Sequence, residues 1–142
     1  MLIGCDTPAP ADHVQEEVYD STKRKDVINE IMSDQEEAWN NGNLEGFMQA
    51  YLKSDSLIFI GSRGAQYGWS TTLMNYKKSY PDREAMGMLQ FDNTEFKDLP
   101  PHHSFVIGRW TLFRKADTLQ GSYSLLWEWV NAKPVIIADH SS

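Results

Sequence analysis

Glu128 and His140 are the two side chains with the chemistry of a proton-transfer pair, and each sits in a segment that reads as a β-strand. A glutamate buried among apolar groups has its pKa raised toward neutrality, and a nearby imidazole can exchange a proton with it. The two are spaced along Ser124-Leu-Leu-Trp-Glu-Trp-Val130 and Pro134-Val-Ile-Ile-Ala-Asp-His-Ser-Ser142, separated by a short turn at Asn131 to Lys133. β-Branched and aromatic residues make these adjacent strands, the end of a curved sheet that could line a pocket. The competing role is structural. Glu128 would then pair with Arg109 or a lysine at the sheet edge, and His140 would bond a backbone carbonyl of the final strand.

Other chemistries find weaker footing. His102-His103 follows Pro100-Pro101, but adjacent strand residues point to opposite faces and no Cys, Asp or Glu stands at ligand spacing, so no metal is expected. Asp139-His140 has the same geometry. Ser141 and Ser142 lack a Gly-x-Ser-x-Gly elbow, and Cys5 precedes the folded part, which leaves nucleophilic catalysis without a candidate. Gly61-Ser-Arg-Gly64 is no phosphate loop, because a following Lys-Ser or Lys-Thr and a helix are missing. No cofactor is implied. Lys23-Arg24-Lys25 reads as a solvated helix start, and the Trp39, Tyr51 and Met74 stripes as core.

At 142 residues the chain suits one domain with its own core. A net charge of −7, from 20 acidic against 13 basic residues, offers no basic stripe for a phosphate backbone, so nucleic acid is excluded as a partner. With 12% aromatics the chain should fold. The single cysteine rules out an internal disulfide. Leu2-Ile3-Gly4-Cys5 resembles a bacterial lipobox, which implies lipidation at Cys5 and a place in the cell envelope on the periplasmic side; a chance match would mean a cytoplasmic protein. Asp6-Thr-Pro-Ala-Pro-Ala-Asp12 then acts as a tether, and membrane contact runs only through the lipid. The expected division is a tether over 1–23 and a single domain over 24–142.

The elements that must position the candidates come in a definite order. Val27, Ile28, Ile31, Met32, Gln35, Ala38 and Trp39 follow one helical face, stopped at Asn40-Asn41-Gly42. Asn43 caps a second helix carrying Leu44, Phe47, Met48, Tyr51 and Leu52. Leu57 to Ile60 reads as a strand, and Ser70 as the cap of a third helix that ends at Pro81. Met86 to Lys97, His103 to Arg114, Gly121 to Val130 and Val135 to His140 read as one antiparallel sheet. Helices first and strands after is the α+β order.

Three helices and a strongly bent sheet resemble the nuclear transport factor 2-like superfamily, the cone-shaped fold shared with ketosteroid isomerase and SnoaL-like polyketide cyclases. The likeness covers residues 24 to 142 and is carried by Ala38-Trp-Asn-Asn-Gly-Asn-Leu44, the Gly68 turn and the closing Asp139-His140-Ser141-Ser142. That ending is similar to a large subgroup of unknown function. The resemblance implies a concave face closed over a pocket and a convex face that pairs with another subunit.

If the hairpin around Ala116 to Gln120 pairs even with even, Trp110 and Leu112 share the concave face with Ser124, Leu126 and Glu128. Phe113, Tyr123, Trp127 and Trp129 then form a homodimer interface on the convex face. Gln35, Trp39, Tyr51, Tyr76, Trp110 and Leu126 are the expected ligand-binding set. The positions of the isomerase's tyrosine donor and two aspartates are held here by Gln35, Ile60 and Leu126, so that activity is not inherited. Binding of a small apolar or aromatic molecule is the leading expectation. A cofactor-free isomerase or lyase using Glu128 and His140, and a dimer module with a filled cone, are the alternatives.

Overall fold

The computed structural model of the protein describes residues 20–142. Cys5, the lipidation candidate, and the proline-rich stretch after it lie outside the described residues.

Helix α1 (Ser21–Asn40) starts where the Asp20 side chain accepts the Lys23 backbone N–H at 3.1 Å. Residues 21–23 therefore belong to the helix, not to the tether expected over 1–23, because an acidic cap precedes the basic run. The buried face of α1 is Ile28, Met32, Gln35 and Trp39, one stripe at helical spacing. Gly42, at φ 75°, ends it. Its last carbonyls are gathered by Arg83, which donates to Trp39 O at 2.9 Å and to Asn40 O at 3.1 Å.

The Asn43 side chain caps α2 (Leu44–Phe47) by accepting from Gly46 N–H at 2.8 Å. A 3-10 turn (Met48–Ala50) replaces the rest of the expected second helix, and Tyr51 leaves it in an extended conformation. Strands β1 (Ile58–Gly61) and β2 (Gly64–Tyr67) form a hairpin whose second half was not anticipated. Helix α3 (Trp69–Ser79) is capped at Gly68 rather than Ser70. A short α4 (Arg83–Met86) occupies the expected start of the next strand, since Asp82 caps it by accepting Ala85 N–H at 2.8 Å.

The sheet order is β2-β1-β6-β5-β4-β3, with β3 (Met88–Leu99), β4 (His103–Phe113), β5 (Thr118–Val130) and β6 (Lys133–Ser141). Neighbours are antiparallel except β1 and β6, which run parallel. The class is α+β, with helices packed on one face of a curled sheet. Two bulges help it bend: the pairing slips between Asn93 and Glu95 in β3, and again where Leu126 faces Ala138 but Trp127 faces Ile136.

The β4–β5 turn spans residues 114–117 and is closed by Arg114 N–H on Asp117 O at 3.0 Å and by the Arg114–Asp117 ion pair at 2.6 Å. A four-residue loop sets odd residues opposite even ones: Phe113 faces Thr118, Gly108 faces Tyr123, and Ser104 faces Trp127. The even-with-even pairing is thereby overturned. Trp110 and Leu112 share the helix-covered face with Tyr123, Leu125 and Trp127, while Ser124, Leu126 and Glu128 turn outward.

Three of the four expected interface residues are displaced by this register. Tyr123 is buried and Trp127 is fully enclosed in the core. Trp129 donates from its indole to Ser104 Oγ at 2.9 Å and lies under Arg24, 4.8 Å from guanidinium to ring. Arg24 itself pairs with Asp98 at 3.0 Å, so the basic run is not wholly solvated. Phe113 stays outside, half exposed.

Gly108 lets β4 approach the Tyr123 ring: a Cβ there would overlap the phenol and the Asp92 carbonyl. Gly108→Ala is expected to cost about 1–3 kcal/mol, the range for overpacking a filled site. Urea unfolding checks it, and an unchanged midpoint would show that the two strands do not meet so closely.

Candidate functional site

Between the helices and the inner face of the sheet lies a cavity of about 290 Å³. Gln35 and Trp39 reach it from α1, Phe47 from α2, and Tyr76 from α3, with Tyr80 just beyond. Phe91, Trp110, Tyr123 and Leu125 reach it from the sheet. Trp39 is the hub of the helical wall, its ring edge-on to Phe47 at 5.2 Å, to Tyr80 at 5.1 Å and to Tyr76 at 5.8 Å. Its indole N–H donates to Met86 O at 3.1 Å, which fixes the ring plane. Such edge-to-face contacts hold rings in place as well as burying them.

The polar groups are few. Asp139 lines the cavity from β6, only 2% exposed, and accepts hydroxyl hydrogens from Tyr51 and Ser141, each at 2.6 Å. Burial pushes its carboxyl above the usual carboxylate range, against the opposing pull of the two hydroxyls and of the His140 charge. The Tyr51 phenol is driven well up by burial and by Asp139 beside it, and the Tyr76 and Tyr123 phenols rise chiefly through burial. All three hold their protons at neutral pH. Gln35 donates from Nε2 to Phe47 O at 3.3 Å, while its buried Oε1 has no donor among the described residues. Thr72 gives its hydroxyl to Gly68 O at 2.9 Å, and Asn75 bonds Gln66. Arg63, exposed in the β1–β2 turn, sits at the rim.

Of the expected ligand-binding residues, Gln35, Trp39, Tyr51, Tyr76 and Trp110 line this cavity, and Leu126 does not. Leu126 faces outward with Glu128 because of the β4–β5 register. Glu128 pairs with His103 at 3.5 Å, both about 40% exposed, and not with Arg109 or a lysine. His140 is exposed on the outer face beside Ile60. Glu128 and His140 therefore share no pocket, and the acid-base pair expected from the sequence is not assembled in the cone. Among the described residues no group of three or more His, Cys, Asp and Glu could hold a metal.

Asp139 is the functional candidate that sequence reasoning missed. The bulge at residue 137 is the reason: Ile136 and Asp139 both face inward although their numbers differ in parity. The signal was present in one form, an acid closing the apolar run Val135-Ile-Ile-Ala138. Phe47, Phe59, Tyr80 and Phe91 were also missed as lining residues, since rings at helix and strand positions read as generic core.

The raised Asp139 carboxyl has a thermodynamic signature. Between the unfolded value of about 3.9 and the higher native one, the folded protein holds more of the proton than the unfolded chain does. The group's contribution to stability is thus full below that window and is lost as pH rises through it. Asp139→Asn should flatten this fall and be more stable than the parent above the window. Urea midpoints measured from pH 4 to 8 check it, and parallel curves for the two proteins would refute the assignment.

No family model matches the chain, and no curated protein is similar to it. Solved structures are. An NTF-2 like protein of unknown function from Shewanella oneidensis MR-1 is 42% identical, with a TM-score of 0.80, covering 84% of this chain and 98% of that one. A domain of unknown function with a cystatin-like fold from Nostoc punctiforme superposes with a TM-score of 0.71 at 13% identity, over 87% of this chain and 78% of that one. A ketosteroid isomerase-like protein from Erwinia carotovora atroseptica gives 0.62 at 16% identity, over 82% and 93%. The last two likenesses concern the fold alone.

Proposed function

This chain belongs to the nuclear transport factor 2-like family, and from that premise we propose that its cone binds a small apolar or aromatic molecule. The supporting observation is the cavity itself: nine aromatic side chains border about 290 Å³, together with a buried amide oxygen that has no donor among the described residues. That volume stands at the small end of ligand pockets, which span about 300 to 1,000 Å³, so a one- or two-ring molecule suits it. A dimer module with a filled cone would need Trp110 or Tyr76 to plug this space, and both instead border it. The isomerase or lyase alternative loses its residues, because Glu128 and His140 stand outside.

Denaturing extraction of natively expressed protein, followed by mass spectrometry, tests the binding reading. One small molecule enriched over an unrelated control protein is the expected result. Gln35→Met, which keeps the shape and removes the amide, should lower its loading about tenfold, as loss of one buried hydrogen bond of about 1.4 kcal/mol implies. No enrichment in the parent would count against a ligand-binding cone.

A homodimer through the outer face forms the second part of the proposal. Phe105, Leu126, Ala138 and Ile58 stand opposite one another across β4, β5, β6 and β1, each partly exposed. In the next row Ile107 and Ile60 stand at the two ends, with Ser124 and His140 between them. These replace Tyr123, Trp127 and Trp129 as the interface candidates, and a continuous apolar band on a sheet favours a self-complementary partner. Leu126→Glu should convert a dimer to monomer in light scattering at micromolar concentration. A parent protein that is already monomeric there would end the proposal.

A further inference from the structure

Two buried acceptors border the same aromatic cavity. Asp139 accepts only from neutral hydroxyls, Tyr51 Oη and Ser141 Oγ, and no lysine or arginine among the described residues forms an ion pair with it. Gln35, 3% exposed, adds an Oε1 without a donor among the described residues. Each carboxylate oxygen can accept more than one hydrogen, so Asp139 retains acceptor capacity. The rings of Trp39, Tyr76 and Trp110 border the same space, and the electron-rich face of an aromatic ring attracts a cation within about 6 Å.

A buried carboxylate is costly unless it is paired or neutralised by a proton. An ammonium group would supply both the missing charge and the N–H donors that these acceptors lack. A carboxylate ligand would set like charges together, and a neutral ligand would leave Asp139 without a counter-charge. Arg63 on the rim is exposed, where water and salt screen it. The chain's net charge of −7 favours the approach of cations.

We propose that the cavity selects a small organic ammonium, a protonated amine on an apolar or aromatic body, with Asp139 as the anionic anchor and Gln35 as a further acceptor. This rests on the reading of the cone as a binding site. The groups around Asp139 are Tyr51 after the 3-10 turn, Tyr76 on α3, Tyr123 on β5, and Ser141 and His140 on β6. The three phenols stay protonated throughout the range in which the carboxyl titrates. The His140 charge acts on the carboxyl from the same strand, and His140→Gln isolates its share.

Three phenyl probes of similar size separate the possibilities by calorimetry: 2-phenylethylamine, 2-phenylethanol and 3-phenylpropionate. The amine should bind at pH 7.5 at least tenfold more tightly than the alcohol, and the acid more weakly than either. An alkylammonium with a pKa of about 10 stays charged from pH 5 to 8. Its affinity should therefore fall with pH as Asp139 takes up a proton, with proton release on binding, while that of the alcohol stays flat. Asp139→Asn should remove the preference for the amine over the alcohol. Should that variant not fold, the pH dependence of the parent decides the matter.

Equal binding of alcohol and amine, or a pH-independent amine affinity, would overturn the ammonium assignment while leaving the binding reading intact. Saturable binding by none of the three would remove the binding reading, and this inference with it.

Discussion

With four residues in the β4–β5 turn, Phe113 faces Thr118, and the odd residues of β5 from Leu119 to Trp129 turn toward the helices. Everything in the interior follows from that register. Trp127 is enclosed in the core, Tyr123 passes over Gly108, and Leu125 stands beside Asp139 on the next strand. The Arg114–Asp117 pair that closes the turn is exposed and adds little stability of its own. Its role is geometric, since a turn one residue longer or shorter would exchange the faces of β5.

The interior so formed divides its chemistry by element. Rings from α1, α2 and α3 pack edge to face around Trp39, which the Met86 carbonyl holds in one orientation. The acid arrives from β6, steered past the register by its bulge, and Tyr51 reaches it from the extended segment that follows the 3-10 turn. Tyr51 is also bridged to Ile136, so the phenol and the carboxyl are tied to the same strand. A site held by strand pairing on one side and helix packing on the other needs little reorganisation to receive a ligand.

The class of the fold was legible because it depends on periodicity and order. The stripe of α1, the Asn43 cap and the four long strands all read directly from residue types. So did five lining residues, Gln35, Trp39 and Tyr76 on helices, Tyr51 after the 3-10 turn and Trp110 on β4, since large aromatic and amide side chains on inner faces have few other places to go. What failed was parity. Loop length at residues 114–117 and the bulge at 137 each shift a strand by one position, and neither leaves a mark in the alternation of a strand as apolar as Ser124 to Val130. Two one-residue uncertainties were enough to put Glu128 and His140 inside and Asp139 out. The short elements β2 and α4 were missed for another reason: with four residues each, they are fixed by their neighbours and by caps such as Asp82 rather than by any repeat.

The β1–β2 hairpin sits at one border of the sheet, where β2 has β1 as its sole strand neighbour among the described residues, and its turn residues Gly61 to Gly64 also border the cavity. Border strands with few buried side chains are the first to open in native-state fluctuations. One stretch of the cavity lining therefore belongs to the least tightly held part of the sheet, while the aromatic wall is among the most deeply buried. On the proposed binding reading, the firmness of the grip and the speed of exchange would fall to different residues, so that substitutions in the hairpin would alter exchange without touching the grip.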